Sequence, residues 1–471
     1  MNDMKRLKHN TMLDKGRTLG IGLLWSLLFM ALGCSDFVTV DPPKNIMVSE
    51  TVFEDPATVE AALANLYYAM REEGMVSGNQ GLTTRLGIYS DELDYFGNDL
   101  DLLGLYQNAV LPDNGEVLAW WSQAYGVIYG ANDIILGVEA STGLDPGEKD
   151  RFMGQALFVR GFMHSLLVSL FGDVPYVTTT DYTVNNEVRR MPKSEVYGRI
   201  IDDLLMAESL LENSEVENGE RTFVDRYVVK ALLSRMYRHT EEWDGAATLA
   251  TELISSFGLE DDLEGVFLKA STETIWQLKP GEEPRNTQEA NQLIIFTVPG
   301  QTYAMSEGLL SAFEDGDGRR GAWVESISDA ENTLTFHYPY KYRASFSETE
   351  SLEYSIQFRL AEFYLIRAEA RARLGDIPGA QQDLNAIRNR AGLADTMAST
   401  ASELLGAILR ERRVELFAEQ GHRWFDLVLM DRVDEVLGAI KPNWQTTDVL
   451  LPIPESELEV NPNLLTQNPG Y

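Results

Sequence analysis

Residues 361–391 read AEFYLIRAEARARLGDIPGAQQDLNAIRNRA, and this stretch decides the fold. Apolar residues recur at helical spacing as far as Leu374. Gly375-Asp376 interrupts the period, and Ile377, Leu384 and Ile387 resume it as a second helix. Ala380 is small enough to let that second helix close on the first. Two other places carry the same stamp. Trp243-Asp244-Gly245-Ala246 is followed by Ala250 and Leu253, while Leu170-Phe171-Gly172-Asp173 begins a third pair whose second helix waits until Ser194.

This spacing resembles the tetratricopeptide pattern of helix, tight turn and helix. One such hairpin cannot bury its apolar face alone, so the pairs must stack. Working outward, helices are expected at 57–72, 117–138, 149–171, 194–212, 223–239, 243–256, 357–374, 377–391 and 402–419. Two stretches break the helical rule. Residues 74–116 are rich in Gly, Asn, Asp and Tyr. Residues 257–350 mix β-prone pieces, Thr274–Leu278 and Leu293–Val298, with turns at Pro280-Gly281 and Asp315-Gly316-Asp317-Gly318. The expected fold is mainly α: a tetratricopeptide-like helical-repeat superhelix with an irregular, loop-rich ligand-binding lobe containing short β-strands. Long loops on a rigid scaffold are where binding usually resides. The tail 450–471 is punctuated by proline and reads as an extended strap packed on the body.

Cys34 is the one cysteine in 471 residues, and it directly follows an apolar run ending Ala31-Leu32-Gly33. Lys5, Arg6, Lys8, Lys15 and Arg17 precede that run. A basic n-region, a short apolar h-region and a small residue before the cut describe a secretory signal peptide. A lone cysteine in an exported chain lacks an intramolecular disulfide partner. Its thiol is therefore expected to carry diacylglycerol, with palmitate-type acyl chains anchoring the protein to membrane lipid, as in bacterial lipoproteins. Each buried methylene adds about 0.8 kcal/mol, so two or three chains hold firmly. Beyond the h-region, no second segment approaches 18 uninterrupted apolar residues.

Residues 1–33 hold five basic and two acidic residues, so the remainder carries 34 basic against 71 acidic, a net charge of −37. Such a field repels phosphate backbones and argues against nucleic acid as a partner. The HExxH, GxSxG and P-loop motifs are absent from the sequence. His164, His239, His337 and His422 do not form a zinc spacing, so neither metal nor cofactor is expected. Asp315-Gly316-Asp317-Gly318 lacks the further oxygen ligands of a calcium loop and reads as a turn. His422 and Arg423 read as a hydrogen-bonding cluster at a helix terminus. No catalytic residues are assigned and the chain is not expected to be an enzyme.

Several segments together resemble the SusD/RagB family of outer-membrane nutrient-binding lipoproteins from Bacteroidetes. They are Cys34-Ser35-Asp36-Phe37; Trp121…Tyr125…Ile128…Ala131-Asn132; Arg160-Gly161-Phe162 with Leu170–Pro175; Arg359–Ala370; Glu411–Leu427; and the tail ending Gln467-Asn468-Pro469-Gly470-Tyr471. The resemblance divides the chain into a lipoprotein signal peptide (1–33), a lipidated tether (34–56), an N-terminal SusD-like helical region (57–256, with the 74–116 excursion), the irregular insertion (257–350) and a C-terminal SusD/RagB-like region with its tail (351–471). It implies a surface-exposed lipoprotein of the cell outer membrane. That lipoprotein would capture oligo- or polysaccharide and pass it to a SusC-like TonB-dependent transporter. Peptide or glycopeptide capture in the same system is the alternative; a surface glycosidase is a third reading.

Sugar rings present apolar C–H faces that stack on aromatic side chains, while their hydroxyls need Asp, Asn, Arg or Gln. One stacked ring buries roughly 60–80 Å², worth about 1.5–2 kcal/mol. Micromolar affinity needs about 8 kcal/mol, so several platforms must align. Trp121, Tyr125 and Trp276 sit at core spacings. The candidates are loop aromatics among polar neighbours: Tyr89, Tyr95, Phe96 and Tyr106 near Asp91, Asp94, Asn98 and Asp99, then Tyr303, Trp323, Tyr338, Tyr340, Tyr342 and Arg343. Tyr89, Tyr95, Asn98, Tyr106, Tyr303, Trp323 and Arg343 form the expected ligand-binding set. For the anchor, Cys34→Ala is expected to abolish radiolabelled palmitate incorporation and release the protein from membranes; equal retention of mutant and wild type would refute lipidation.

Overall fold

Asp55 starts the first helix by accepting a hydrogen bond from the Ala57 N–H, with Pro56 at the first helical position. The structure, a computed structural model, describes residues 52–212, 219–281 and 285–471. The signal peptide, Cys34 and the tether up to Thr51 lie outside those residues. The N-terminal half supplies α1 (Pro56–Glu72), α2 (Leu82–Tyr89), β1 (Leu93–Tyr95), α3 (Leu100–Tyr106), α4 (Gly115–Ala140), α5 (Pro146–Phe171), α6 (Lys193–Leu210), α7 (Arg226–His239) and α8 (Trp243–Ser256). The middle contributes β2 (Thr274–Leu278), α9 (Gln288–Leu293), β3 (Tyr303–Met305), β4 (Val324–Ser328), β5 (Thr335–Pro339) and β6 (Ser355–Arg359). The C-terminal part adds α10 (Leu360–Leu374), α11 (Ile377–Arg390), α12 (Ala401–Glu415), α13 (His422–Leu429) and α14 (Val433–Ile440).

Adjacent long helices pack side by side: α4 on α5, α5 on α6, α7 on α8, α8 on α10, and α10 on α11 and α12. The hairpin stamps close as their residues require. Gly375 adopts φ +86° and its N–H returns to the end of α10, while Ala380, Leu384 and Ile387 are buried in the α10–α11–α12 core. Ala246 and Ala250 are likewise buried. Helix α5 is long and apolar enough to cross a bilayer, but its apolar window is 94% buried inside the protein. It is the central helix of the body.

Five expectations need correction. The 74–116 excursion holds α2, α3 and β1. The run Leu293–Val298 is not a strand; α9 ends at Leu293 and turns follow. The helix expected from 357 starts at Leu360, because Ser355–Arg359 pairs with β2 as β6. The helix expected to reach 419 stops at Glu415, with Ala418 at φ +51° and Gln420 at φ +44°. The tail is an extended strap only in part. Leu451 bonds the Leu170 carbonyl and Asn468 bonds Phe171 and Leu451, but Glu455–Val460 forms a helical turn.

A buried charge network surrounds the end of α12. Arg359 bonds Glu273 and Glu415 at 2.7 Å each and holds both oxygens of Glu419, at 2.7 and 2.9 Å. Arg390 joins Glu273 and Glu415. Arg319 joins Asp317, Glu411 and Glu415. Lys341 reaches Glu419 and the Glu415 carbonyl. All of these groups are buried. Burial pushes the Glu415 carboxyl up, but Arg390, Arg359 and Arg319 outweigh it and hold it well below the usual range. Removing one member strands its partners' charges, at a cost of about 3–5 kcal/mol. Arg359→Ala is expected to lower the unfolding free energy measured by urea titration by that order. Arg432→Ala, which breaks an exposed pair with Glu435, should cost about 0.5 kcal/mol or less. Equal effects of the two substitutions would contradict this account.

Candidate functional site

The irregular lobe is built on a two-stranded ladder. β1 and β3 pair antiparallel with Tyr95 opposite Tyr303, and Asp94 opposite Ala304. The Tyr95 and Tyr303 ring centroids are 5.7 Å apart, and Tyr106 of α3 stands 6.4 Å from Tyr95. Three of the expected residues therefore meet. They do so as a floor, because Tyr95 is only 8% and Tyr303 only 4% exposed. Arg85 of α2 donates to the Tyr303 hydroxyl at 3.0 Å and also pairs with Glu116. The Asp99 N–H donates to the Tyr95 hydroxyl. A Cβ on Gly97 would lie 2.3 Å from that hydroxyl oxygen, so only glycine lets the ring close under its loop.

Tyr106 opens into a cleft of about 460 Å³, shared with Asp91, Asp94, Glu307, Arg413 and Lys441. Its hydroxyl donates to Asp94 at 3.0 Å, and burial together with Asp94 pushes it up to about 12. Lys441 spends hydrogen bonds on the Ile88 and Tyr106 carbonyls and sits 4.2 Å from the Tyr106 ring. Burial draws its ammonium down to about 8.

The other expected residues lie elsewhere. Tyr89 is buried against Trp424 at 4.8 Å and donates to the Asp448 carbonyl. Trp323 is buried under Lys341 and donates to the Leu263 carbonyl. Neither ring can meet a sugar without unpacking the core. Arg343 bonds the Ala322 carbonyl and pairs with Glu264. Asn98 is exposed beside Phe96. Trp121, Tyr125 and Trp276 hold the interior positions read from their spacing.

The open rings are phenylalanines. The Phe96 N–H extends the ladder by one bond, to the Thr302 carbonyl. Alternation then points its side chain away from that of Tyr95. Phe96 is 45% exposed and meets Phe336 of β5 edge-on at 5.2 Å. Phe296 and Phe346, 48% and 74% exposed, form a second pair at 5.2 Å. Phe336 packs on a small cluster of Ile295, Ala304 and Tyr338, together with Ile294, Val298, Ile327 and Tyr340, and Ile295 directly precedes Phe296 of the second pair. The β4–β5 hairpin places Ile327 opposite Phe336 and Glu325 opposite Tyr338 on this face. Exposed aromatic rings grouped this way mark an interaction surface. Phe296 lies in the β-prone run Leu293–Val298, whose apolar neighbours give no sign that its ring is open. Phe346 had a signal, a bulky ring between Ser345 and Ser347.

Beneath the ladder, Asp91 takes Arg423 through both oxygens, at 2.7 and 2.9 Å, and Arg413 at 2.7 Å. Glu92 beside it is fully buried. One of its oxygens faces the Ala418 N–H and the other has no hydrogen-bond partner. Burial, reinforced by Asp91, pushes its carboxyl up to about 8. His422 and Arg423 are interior groups at the start of α13, where Gly421 at φ +73° presses against Leu86. Among the described residues, no cluster of His, Cys, Asp and Glu could hold a metal.

Comparison with known proteins agrees with this architecture. The sequence model of the SusD family matches residues 178–439. A second, described as starch-binding associating with outer membrane, matches residues 36–238. The chain is 27% identical to SusD-like protein P2 of Formosa agariphila, over 94% of this chain and 98% of that one. A SusD superfamily protein from Bacteroides vulgatus superposes with a TM-score of 0.79 at 21% identity, covering 89% of this chain and 100% of that one. A laminarin-binding SusD-like protein superposes with a TM-score of 0.74 at 23% identity, covering 88% of this chain and 99% of that one.

Glu92 gives the floor of the site a pH signature. The folded state holds its proton up to about pH 8, whereas the unfolded chain releases it near the ordinary glutamate value. The stability it confers is complete below that ordinary value and is lost as pH rises toward about 8. Glu92→Gln keeps the neutral form at every pH. The melting temperature of the variant, relative to wild type, is expected to rise between pH 5 and pH 8.5; a pH-independent difference would exclude a buried neutral Glu92.

Proposed function

This chain belongs to the SusD family, and we propose that it is a non-catalytic outer-membrane lipoprotein that captures glycan on the Phe96/Phe336 and Phe296/Phe346 face. The observation that carries the reading is the grouping of four phenylalanines, three of them about half exposed or more, on the irregular lobe of a helical scaffold. At about 1.5–2 kcal/mol for each stacked ring, the three open platforms supply about 4.5–6 kcal/mol, and hydrogen bonds from neighbouring polar groups must add the rest of the roughly 8 kcal/mol of micromolar binding. The starch-binding description of the matching family model and the laminarin bound by one structural relative support a glycan as ligand. Asn98, Asp99 and Glu325 beside the rings suit sugar hydroxyls. Phe96→Ala and Phe346→Ala are each expected to weaken binding of laminarin or starch by about tenfold to thirtyfold, without cleavage of the polymer. Unchanged affinity in both would remove the face, and released product would favour the glycosidase reading.

The captured glycan is proposed to pass to a SusC-like TonB-dependent transporter, with Cys34 acylation confining both partners to the membrane plane. Confinement raises their effective concentration, so a modest interface suffices. A stable lid still needs more than about 1,000 Å² of contact. Exposed charge pairs add little and are screened by salt. A tagged chain extracted from native membranes is expected to bring down a β-barrel protein at both low and high salt; recovery at neither would leave a free-standing binder.

A further inference from the structure

The charge around the phenylalanine face is one-sided. Glu325 is exposed on the ring-bearing side of the β4–β5 hairpin, directly across from Tyr338. Glu348 and Glu350 follow Phe346, and Asp99 lies three residues beyond Phe96, capping α3. The basic groups nearby are committed elsewhere. Lys341 is buried on Glu419 and the Glu415 carbonyl. Arg343 pairs with Glu264 at 3.3 Å and bonds the Ala322 carbonyl. Arg85 is held by Glu116 and Tyr303 beneath the ladder. Arg285, whose segment binds the 350–353 stretch through Asn286, pairs with Glu72. His337, whose imidazole burial and then Arg320 hold below its usual value, alternates with Phe336 and Tyr338 onto the opposite side of the hairpin. In the adjoining cleft, Arg413 and Lys441 are opposed by Asp91, Asp94 and Glu307.

Recognition of a carboxylate or sulfate calls for an available guanidinium or ammonium aimed at it. Arg343 lies 5.3 Å from the Tyr340 ring, but its guanidinium is already engaged by Glu264 and the Ala322 carbonyl; the other basic groups named here are paired or turned to the opposite side. Ionised carboxylates accept hydrogen bonds, and the hydroxyls of an uncharged sugar donate them. Taking the glycan-capture reading as its basis, we propose that the face selects uncharged glycans, and that uronate-bearing or sulfated polymers are rejected by Glu325, Glu350 and Asp99 within the net negative field of the chain. The rejection is electrostatic, so it weakens as salt shortens the screening length.

The test compares each of three polymers, laminarin, starch and galactomannan, in neutral, carboxymethylated and hydroxyethylated forms. Binding is measured on the detergent-solubilised full chain. The hydroxyethyl ether adds the bulk of the substituent without its charge. For whichever polymer binds, the carboxymethyl form is expected to bind at least about tenfold more weakly than the hydroxyethyl form at low salt. That gap should narrow at high salt, and Glu325→Lys should shrink it further. A carboxymethyl form that binds as tightly as its neutral parent, with Phe346→Ala weakening both, would overturn the selectivity and leave the glycan face standing. Equal losses from carboxymethyl and hydroxyethyl groups would also overturn it, because bulk would then explain the rejection. Failure of all three polymers in every form would remove the glycan reading and this inference with it.

Discussion

The contact between Arg359 and three buried glutamates organises the molecule. Arg359 ends β6 and begins α10, Glu273 precedes β2, and Glu415 and Glu419 close α12 and the turn beyond it. One guanidinium thus joins the irregular lobe to the helical stack. Charges taken from water in this way are costly unless fully paired, and here each is paired more than once. After Glu415 the backbone leaves the helix, with Ala418 and Gln420 at positive φ, and Glu419 still reaches the same guanidinium as Glu415.

The irregular lobe inherits its rigidity from that junction. Arg319 and Lys341 run from the lobe to the same glutamates, flanking Trp323, whose indole bonds the Leu263 carbonyl. Glu353 holds the N–H groups of Arg343 and Ala344, and burial pushes its carboxyl up to about 7. The loops that carry Phe296, Phe336 and Phe346 therefore rest on a fixed base. A preorganised set of rings loses less ordering entropy on binding than one that must assemble around its ligand. The helices supply the platform, and the long connections between them supply the contacts.

Much of this was legible locally. The Gly375 turn, the small Ala246 and Ala380, and the capping pairs Asp145–Glu148 and Thr400–Glu403 act over a few residues, so sequence spacing exposes them. The site was legible only in outline. Tyr95, Tyr106 and Tyr303 do come together, yet Tyr95 and Tyr303 form a buried floor and only Tyr106 opens into a cleft, while Tyr89 and Trp323 belong to the core. Phe96, the neighbour of Tyr95, carries the open ring. One step along a strand moves a side chain from one face of the ladder to the other, and composition cannot show which face is covered.

The amino-acid sequence by itself determined the helical repeats, the acidic field and the family, because each rests on local spacing, composition or short motifs. Tertiary structure alone decided where α12 stops, which aromatics face solvent and which basic groups are already engaged. Those outcomes depend on partners far apart in the chain, such as Arg359 with Glu273 and Glu419, or Phe96 with Phe336. Burial and ion pairing are properties of what lies across the fold, and a residue's own neighbours in sequence do not reveal them.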